Sequence, residues 1–293
     1  MINSENKYIR LSVLFLAILF SSISLLIKAQ TPEQTYAFAI LQSRQGNYDV
    51  AVKSFKRLQF FDDLNNFPGV FSEIADCYFK KADYENAYYY YDLASVQSEN
   101  DSLFPEIIAR KVTCRLYEHQ YQEALIELLS FNGTLDAKQQ RQFDILSAIT
   151  YFYLGDYDSS KQYFLKSVDS SQLIAVVSLN ESFSHLKHIE KRYNPNTAKV
   201  MSIIIPGSGQ ILAGDYRNGV NSFLLISGLL TASMALSINL SFVESAFIIA
   251  PWFQRYYMGG YQKAYDITKA RQQKEKNKVL ANMVQMLNQP ELR

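Results

Sequence analysis

The sequence has few of the residues on which most catalytic and metal-binding sites depend. Its 293 residues include only two cysteines, three histidines and one tryptophan. We find no zinc-type cysteine spacing and no motif that would support a serine, histidine and aspartate triad. The sequence therefore predicts no catalytic residues, no cofactor site and no metal site, and we expect a protein that is not an enzyme.

A surplus of positive charge is also absent. Lysine and arginine number 29 against 28 aspartate and glutamate residues, so the formal net charge is +1. Nucleic-acid-binding proteins usually present a broad basic surface, and nucleic acid is therefore not an expected partner. Glycine is modest at 11 residues while tyrosine reaches 21, a composition typical of a folded chain rather than a disordered one.

The N-terminus has the order of a secretory signal: basic residues, an apolar run and a small residue. Lys7 and Arg10 precede LSVLFLAILFSSISLLI, and Ala29 follows shortly after. We predict a signal peptide over residues 1–30. An uncleaved membrane anchor is the alternative, because the apolar run of about 17 residues approaches the length of a membrane span.

Four similar segments recur between residues 33 and 169, namely GNYDVAVKSF, ADYENAYYYY, HQYQEALIEL and GDYDSSKQYF. Their tyrosines lie 36, 37 and 36 residues apart. A small residue follows each tyrosine by three positions and a bulky residue follows the small one by four, which is the spacing of one helix face. The signature residues are Tyr48, Ala51, Phe55, Tyr84, Ala87, Tyr91, Tyr121, Ala124, Leu128, Tyr157, Ser160 and Phe164.

Each of these helices follows an apolar run that supplies a partner helix, so the repeating unit is a helical hairpin. The small residue is expected where a neighbouring helix crosses closely, and the bulky one in the groove beside it. The pattern resembles the tetratricopeptide repeat in four copies, although the third departs from it at Lys111 and Val112. The resemblance implies an open superhelix whose concave face binds a peptide or protein, closed by a capping helix over residues 170–192.

Two side-chain pairs within this region are candidate sites. Cys77 and Cys114 occupy equivalent positions on neighbouring first helices, commonly about 8 to 10 Å apart, which is too far for a disulfide and favours two buried thiols. His185 and His188 lie three apart on a helix, as metal ligands can. Such pairs also occur by chance on solvated helix faces, and we favour that interpretation.

The C-terminal part changes character. Residues 219–240 contain no charge and are long enough to cross a bilayer. Residues 241–260 are also apolar apart from Glu244 and Arg255, and the two segments together predict a transmembrane helical hairpin. A buried hairpin in a soluble domain is the alternative. The basic flanks on both sides of this module leave its topology undecided.

Between the repeats and the hairpin lies the apolar stretch of residues 200–213, which is short for a span and interrupted by Pro206. We predict a re-entrant segment, in which the glycines allow close packing and Gln210 can bond a backbone group freed by the kink. A phosphate loop is disfavoured because no lysine follows the glycines. The stretch resembles a Pro-Gly-x-Gly-Gln motif of uncharacterised bacterial envelope proteins. Its residues here are Pro206, Gly207, Gly209, Gln210, Gly214 and Gly219.

The sequence thus predicts an all-α protein with a tetratricopeptide-like superhelix followed by a C-terminal transmembrane hairpin. The expected parts are the signal (1–30), the repeats with their cap (31–192), a linker (193–198), the membrane module (199–260) and a basic helical tail (261–293). We expect a non-catalytic scaffold or adaptor of the bacterial envelope, anchored in lipid through residues 199–260, with repeats on the periplasmic side that bind a protein or peptide. The alternative is an accessory subunit of a membrane transport or protein-insertion complex. The sequence does not determine the oligomeric state.

Overall fold

The computed structural model describes residues 30–61, 67, 69–98, 102–169 and 172–287. Residues 1–29 of the predicted signal peptide lie outside this range. All regular secondary structure in the described part is helical. The helices are α1 (Pro32–Arg44), α2 (Tyr48–Phe61), α3 (Val70–Lys80), α4 (Tyr84–Gln97), α5 (Phe104–Tyr117), α6 (Tyr121–Ser130), α7 (Ala137–Leu154), α8 (Tyr157–Lys166), α9 (Leu173–Arg192), α10 (Pro195–Ile204), α11 (Ser208–Leu212), α12 (Tyr216–Leu236) and α13 (Phe242–Leu287). The chain divides into two compact units, residues 1–139 and 140–293.

The first unit contains three helical hairpins, α1 with α2, α3 with α4 and α5 with α6. Each hairpin turns at the residue two positions before the repeat tyrosine, and this residue has a positive φ: Gly46, Ala82 and His119. Gly155 holds the same position between α7 and α8 in the second unit. Only two of the four turn residues are glycine, so the turn geometry is a property of the repeat and not of glycine alone.

The small and bulky residues of the repeat signature lie in the interior, whereas its tyrosines, Tyr48, Tyr84, Tyr121 and Tyr157, are half-buried. Ala51, Ala87 and Ala124 are fully buried where helices cross, and Phe55 and Tyr91 fill the neighbouring space. In the second unit Ser160 and Phe164 are equally buried. A small residue at the crossing allows the helices to approach closely, while the large residue one turn on fills the groove that remains.

The second unit begins with the α7 and α8 hairpin and continues into α9. The apolar residues of α9 share a core with α7, α8 and the last turns of α13. Those turns contribute Val279, Leu280, Met283 and Leu287, each at most 8 % exposed. The expected capping helix therefore has a second covered face, because the last turns of α13 pack against it.

Two expected boundaries are absent from the structure. The segment 193–198 is not a linker: the Asn194 side chain caps the N-terminus of α10 and Pro195 takes its first position, so that helix begins at once. The tail 261–293 is not a separate helix either, because α13 runs without interruption from Phe242 to Leu287. Its 46 residues extend about 69 Å at 1.5 Å per residue.

The helices α10 to α13 form the remainder of the second unit. The short helix α11 packs between α10, α12 and α13, and α12 returns antiparallel to the first half of α13. The turn between these two helices is closed by Ser241 and Glu244, whose side chains cap each other's backbone N–H groups. The chain thus runs through α10, turns at Pro206, and continues through α11 into the helical hairpin formed by α12 and α13.

Candidate functional site

A stripe of charged residues crosses the first helices of the second and third hairpins in the first unit. Asp76 of α3 accepts hydrogen bonds from Arg110 of α5 and from the hydroxyl of buried Tyr91. Arg110 also pairs with Glu106 at 2.8 Å. Glu73 lies one turn before Asp76, half-buried, and its pKa is raised by burial and by the charge of Asp76. We refer to Glu73, Asp76, Glu106 and Arg110 as the polar stripe.

Lys111, at which the third repeat departs from the pattern, is a buried cation between α4 and α6. Its ammonium lies 2.7 Å from the carboxylate of Asp92 and 3.1 Å from that of Glu127, and its side chain is 6 % exposed. The ring of Tyr88 lies 5.3 Å away and its hydroxyl donates to Glu127. Burial opposes the charged form, but the two carboxylates outweigh it and raise the pKa of Lys111. The lysine therefore stays charged and joins two neighbouring repeats.

A cavity of about 490 Å³ opens beside this lysine. Its walls combine the Lys111 and Glu127 side chains with the aromatic rings of Phe104 and Phe131. The remaining lining residues are Ser95, Val96, Ile108, Ser130, Asn132 and Gly133. Mixed polar and aromatic walls of this kind are typical of binding pockets.

The two cysteines do not form a disulfide in the structure. Both Cys77 and Cys114 are buried free thiols. Burial raises the pKa of Cys77, and that of Cys114 to about 12, so both stay protonated and unreactive at neutral pH. His185 and His188 are exposed on α9. Within the residues that the structure describes, no group of three or more potential metal ligands comes together.

The Pro-Gly-x-Gly-Gln stretch forms a small polar network inside the second unit. Gly209 donates its backbone N–H to the Ser202 hydroxyl at 2.9 Å, and that hydroxyl donates to the Gln210 side-chain oxygen at 3.0 Å. The Gln210 amide then donates to the carbonyl of Gly260 on α13 at 2.8 Å. Gln210 is 1 % exposed. It thus joins α11 to α13, a different role from bonding a backbone group freed by the kink at Pro206.

The glycines of this stretch are sites of backbone contact. A Cβ on Gly207 would lie 2.0 Å from the carbonyl oxygen of Gly219, and one on Gly209 would lie 2.1 Å from that of Ala198. Gly207 also has a φ of +90°. Gly214 is exposed with a φ of +86° and nothing within 4 Å, so it serves the turn only. Pro206 is half-buried beside this contact. We call the packed set of Ser202, Gly207, Gly209, Gln210, Gly219 and Gly260 the glycine node.

The hairpin beyond the glycine node exposes an unusually apolar surface. Large hydrophobic side chains more than a third exposed occur throughout α12 and the first half of α13. They include Phe223, Leu224, Leu225, Leu230, Met234, Phe242, Val243, Phe247, Ile248 and Trp252. In the described part of the chain, Tyr216–Leu236 is the one helix long and apolar enough to cross a membrane. The second arm, which includes Glu244 and Arg255, contains no stretch that meets that criterion.

Polar groups mark both ends of this hairpin. At its base Lys263 donates a 3.1 Å hydrogen bond to the Asn218 side chain, and at its tip lies Glu244. At 1.5 Å per residue, α12 spans about 27 Å from Asn218 to Leu236, and α13 spans about 28 Å from Glu244 to Lys263. The hydrocarbon core of a bilayer is about 30 Å thick. Arg255 lies about 12 Å inside the base and is exposed.

Comparison with known families identifies one part of the chain. Residues 145–172 match the tetratricopeptide repeat and cover the second half of α7 and all of α8. They are the fourth of the repeats expected from the sequence. Comparison with curated proteins finds no match for the chain. The matched repeat and the consecutive hairpins together indicate that the chain contains helical repeats similar to the tetratricopeptide repeat, a unit that commonly binds proteins in other chains.

Two features of these sites have almost no signal in the sequence. Asp92 and Glu127 are ordinary acidic residues in the sequence, and only folding places both beside Lys111. The available signal is the lysine at position 111, where the repeat pattern usually has an apolar residue. Ser202, the centre of the glycine node, follows no pattern in the sequence, since it acts through a residue eight positions away.

Proposed function

We propose that this protein is a membrane-anchored scaffold of the bacterial envelope that binds a protein or peptide through its helical repeats. The observation that carries the anchoring is the exposed apolar surface of α12 and the first half of α13. Contiguous exposed apolar surface on this scale marks a membrane or protein contact. The two polar ends, about 27 to 28 Å apart, favour a bilayer as the partner of that surface.

The structure of the second unit limits the topology of the proposed anchor. Gln272 and Lys276 of α13 bond the Tyr193 carbonyl and the Glu190 carboxylate at the end of α9. The chain before the hairpin and the chain after it are therefore on one side of the membrane. We place that side in the periplasm because of the signal-like N-terminus. The basic residues of both flanks favour the cytoplasm instead. Protease access to a tag at residue 293 in spheroplasts with an intact inner membrane distinguishes the periplasmic placement from the cytoplasmic one.

The anchoring is tested by a charge at mid-depth. Leu230 lies about 18 Å from Asn218, near the middle of the proposed span, and is 48 % exposed. A lysine there costs about 2.5 to 3.5 kcal/mol in a membrane and little in water. We expect Leu230→Lys to shift the full chain out of the carbonate-resistant membrane fraction. Ile174→Lys on α9, at a residue 82 % exposed, is the control and should stay in the membrane. Equal behaviour of the two variants would refute the anchor.

The binding role rests on the polar stripe, which crosses successive first helices as a peptide-binding surface of stacked repeats does. A photocrosslinking residue at Glu73 in the full-length protein should yield a discrete adduct in cells. The same residue at Glu85, exposed at the start of α4, should not. Identical adducts at both positions, or none at Glu73, would contradict a partner on the stripe.

The groove of about 560 Å³ on the hairpin supports the second candidate, an accessory subunit of a transport or insertion complex. It is lined by Ile203, Ile204, Ile205, Pro206, Phe223, Ile226, Ser227, Leu230, Phe253 and Tyr257. A groove at this depth could accept an apolar segment of another membrane protein. Crosslinking from Ser227 with none from Glu73 would favour this candidate over the scaffold.

A further inference from the structure

A basic cavity at the base of the hairpin is not accounted for by the proposed scaffold function. Its volume is about 580 Å³, and it lies between the turn before α12 and the middle of α13. Three of its lining residues are cations, Arg217, Arg271 and Lys274, and one is an anion, Asp215. The other lining residues are Ala213, Gly214, Tyr216, Ile267 and Ala270.

We propose that this cavity binds the phosphate of an anionic phospholipid headgroup. The inference rests on the proposed membrane anchoring, because the position of the base determines which molecules reach the cavity. Asn218 and Lys263 mark the edge of the apolar surface, and the cavity begins immediately outside that edge. In a bilayer this is the headgroup layer.

The charges of the cavity favour an anion. The single carboxylate, Asp215, accepts bonds from the backbone and side chain of Asn218, which lower its pKa and hold it at the helix N-terminus. Arg271 also forms an ion pair with Glu275, at 3.1 Å. Arg217 and Lys274 are exposed, and each can turn its charge towards a bound phosphate.

The surroundings of the cavity suit the remainder of a lipid. On an ideal helix of 100° per residue, Phe223, Ser227 and Leu230 of α12 each lie within about 40° of Tyr216, so the four residues share a sector of about 60°. The cavity includes the first of these residues, and the apolar groove on the hairpin includes the other three. A headgroup at the base would therefore have an apolar track along the same side of α12 for an acyl chain. Basic pockets beside membrane helices bind anionic headgroups in this manner.

The test uses the full chain reconstituted in nanodiscs. One set contains phosphatidylcholine alone and the other equal parts of phosphatidylcholine and phosphatidylglycerol, and the lipids retained after detergent extraction are measured by native mass spectrometry. We expect selective retention of phosphatidylglycerol, and a roughly 10- to 30-fold loss of that selectivity in Arg217→Gln/Lys274→Gln, since each surface cation contributes about 1 kcal/mol. The matched control is Lys187→Gln/Lys269→Gln, which removes two charges outside the cavity and should keep the selectivity.

Any one of four outcomes would overturn the proposal. Equal retention of both lipids by the parent protein would exclude a selective headgroup site while leaving the anchor intact. Equal loss in the cavity and control variants would indicate general surface charge rather than this cavity. Displacement of phosphatidylglycerol by inorganic phosphate at equal concentration would assign the site to a soluble anion. Failure of the parent chain to enter nanodiscs at all would refute the anchoring as well, and flotation of the discs measures this separately.

Discussion

Replacing Gly209 by alanine should show whether the glycine node holds the second unit together. Gly209 is inside α11 and has no positive φ, so alanine suits its backbone. The added Cβ would nevertheless lie 2.1 Å from the Ala198 carbonyl oxygen, whereas ordinary contact begins at 3.4 Å. The difference of about 1.3 Å must come from separating α10 and α11, because the obstacle is backbone and cannot rotate away.

The separation would also break hydrogen bonds. The Ser202 hydroxyl oxygen lies 2.6 Å from the same Cβ position, so it could not keep its hydrogen bonds to both the Gly209 N–H and the Gln210 side-chain oxygen. Overpacking of this kind costs about 1 to 3 kcal/mol, and each lost hydrogen bond about 1 kcal/mol more. At about 2 to 4 °C per kcal/mol for a chain of this size, the melting temperature should fall by roughly 4 to 15 °C.

The assay is thermal unfolding of the full chain in detergent, followed by circular dichroism and by the fluorescence of Trp252, the single tryptophan. Gly228→Ala is the matched control, because Gly228 lies in α12 with nothing within 4 Å of its Cβ position. It should be neutral or slightly stabilising. If Gly209→Ala melts no lower than Gly228→Ala, the glycine node is not closely packed, and close backbone contact does not hold α10 against α11.

Three further predictions concern the repeats and the end of the chain. Lys111→Met should destabilise the protein by about 1 to 3 kcal/mol in urea unfolding, because it leaves two carboxylates without their cation. Folding raises the pKa of Lys111, so its contribution to the free energy of unfolding is complete below pH 10.5 and falls as the pH rises through the pKa of the folded state. The difference in unfolding free energy between variant and parent should therefore narrow at high pH. Ala82→Gly should raise stability by a few tenths of a kcal/mol or more, because alanine is held at a φ of 59° there. Gly46→Ala, at the equivalent turn position, should lower stability by about 1 kcal/mol. The melting temperatures of the two variants check both predictions. Met283→Ala should cost about 2 to 5 kcal/mol and hasten proteolysis of α9, because Met283 is 1 % exposed in the core that both helices share; unchanged proteolysis would show that α13 does not cover α9.

The repeats could be predicted from sequence because their signature is local. The spacing of Tyr84, Ala87 and Tyr91 defines one helix face within two turns, and on that face Ala87 and Tyr91 are fully buried while Tyr84 is half-buried. The charge-free run of residues 219–240 is equally local and agrees with the bounds of α12 to within a few residues. The membrane assignment of that run remains a prediction, supported by its length and composition and by the exposure of its apolar side chains.

Contacts between distant segments could not be predicted in this way. The sequence predicts a separate basic helix for the tail, yet Met283 and Leu287 complete the core beneath α9, about a hundred residues earlier in the chain. In the sequence Lys111 is only a departure from the repeat pattern. Its charge is tolerated because α4 and α6 each bring a carboxylate to it. Whether a buried charge stabilises or destabilises depends on such partners, which the sequence does not reveal.

By itself the sequence determined the helical hairpins, the phase of their buried faces and the apolar length of α12, because each depends on residues within a few turns of one another. The tertiary structure alone decided that Gln210 bonds Gly260, that the end of α13 covers α9 and that Arg217 meets Lys274 at one cavity. These depend on which helices come together. That choice is set by the packing of whole faces, summed over many weak contacts, rather than by any single motif.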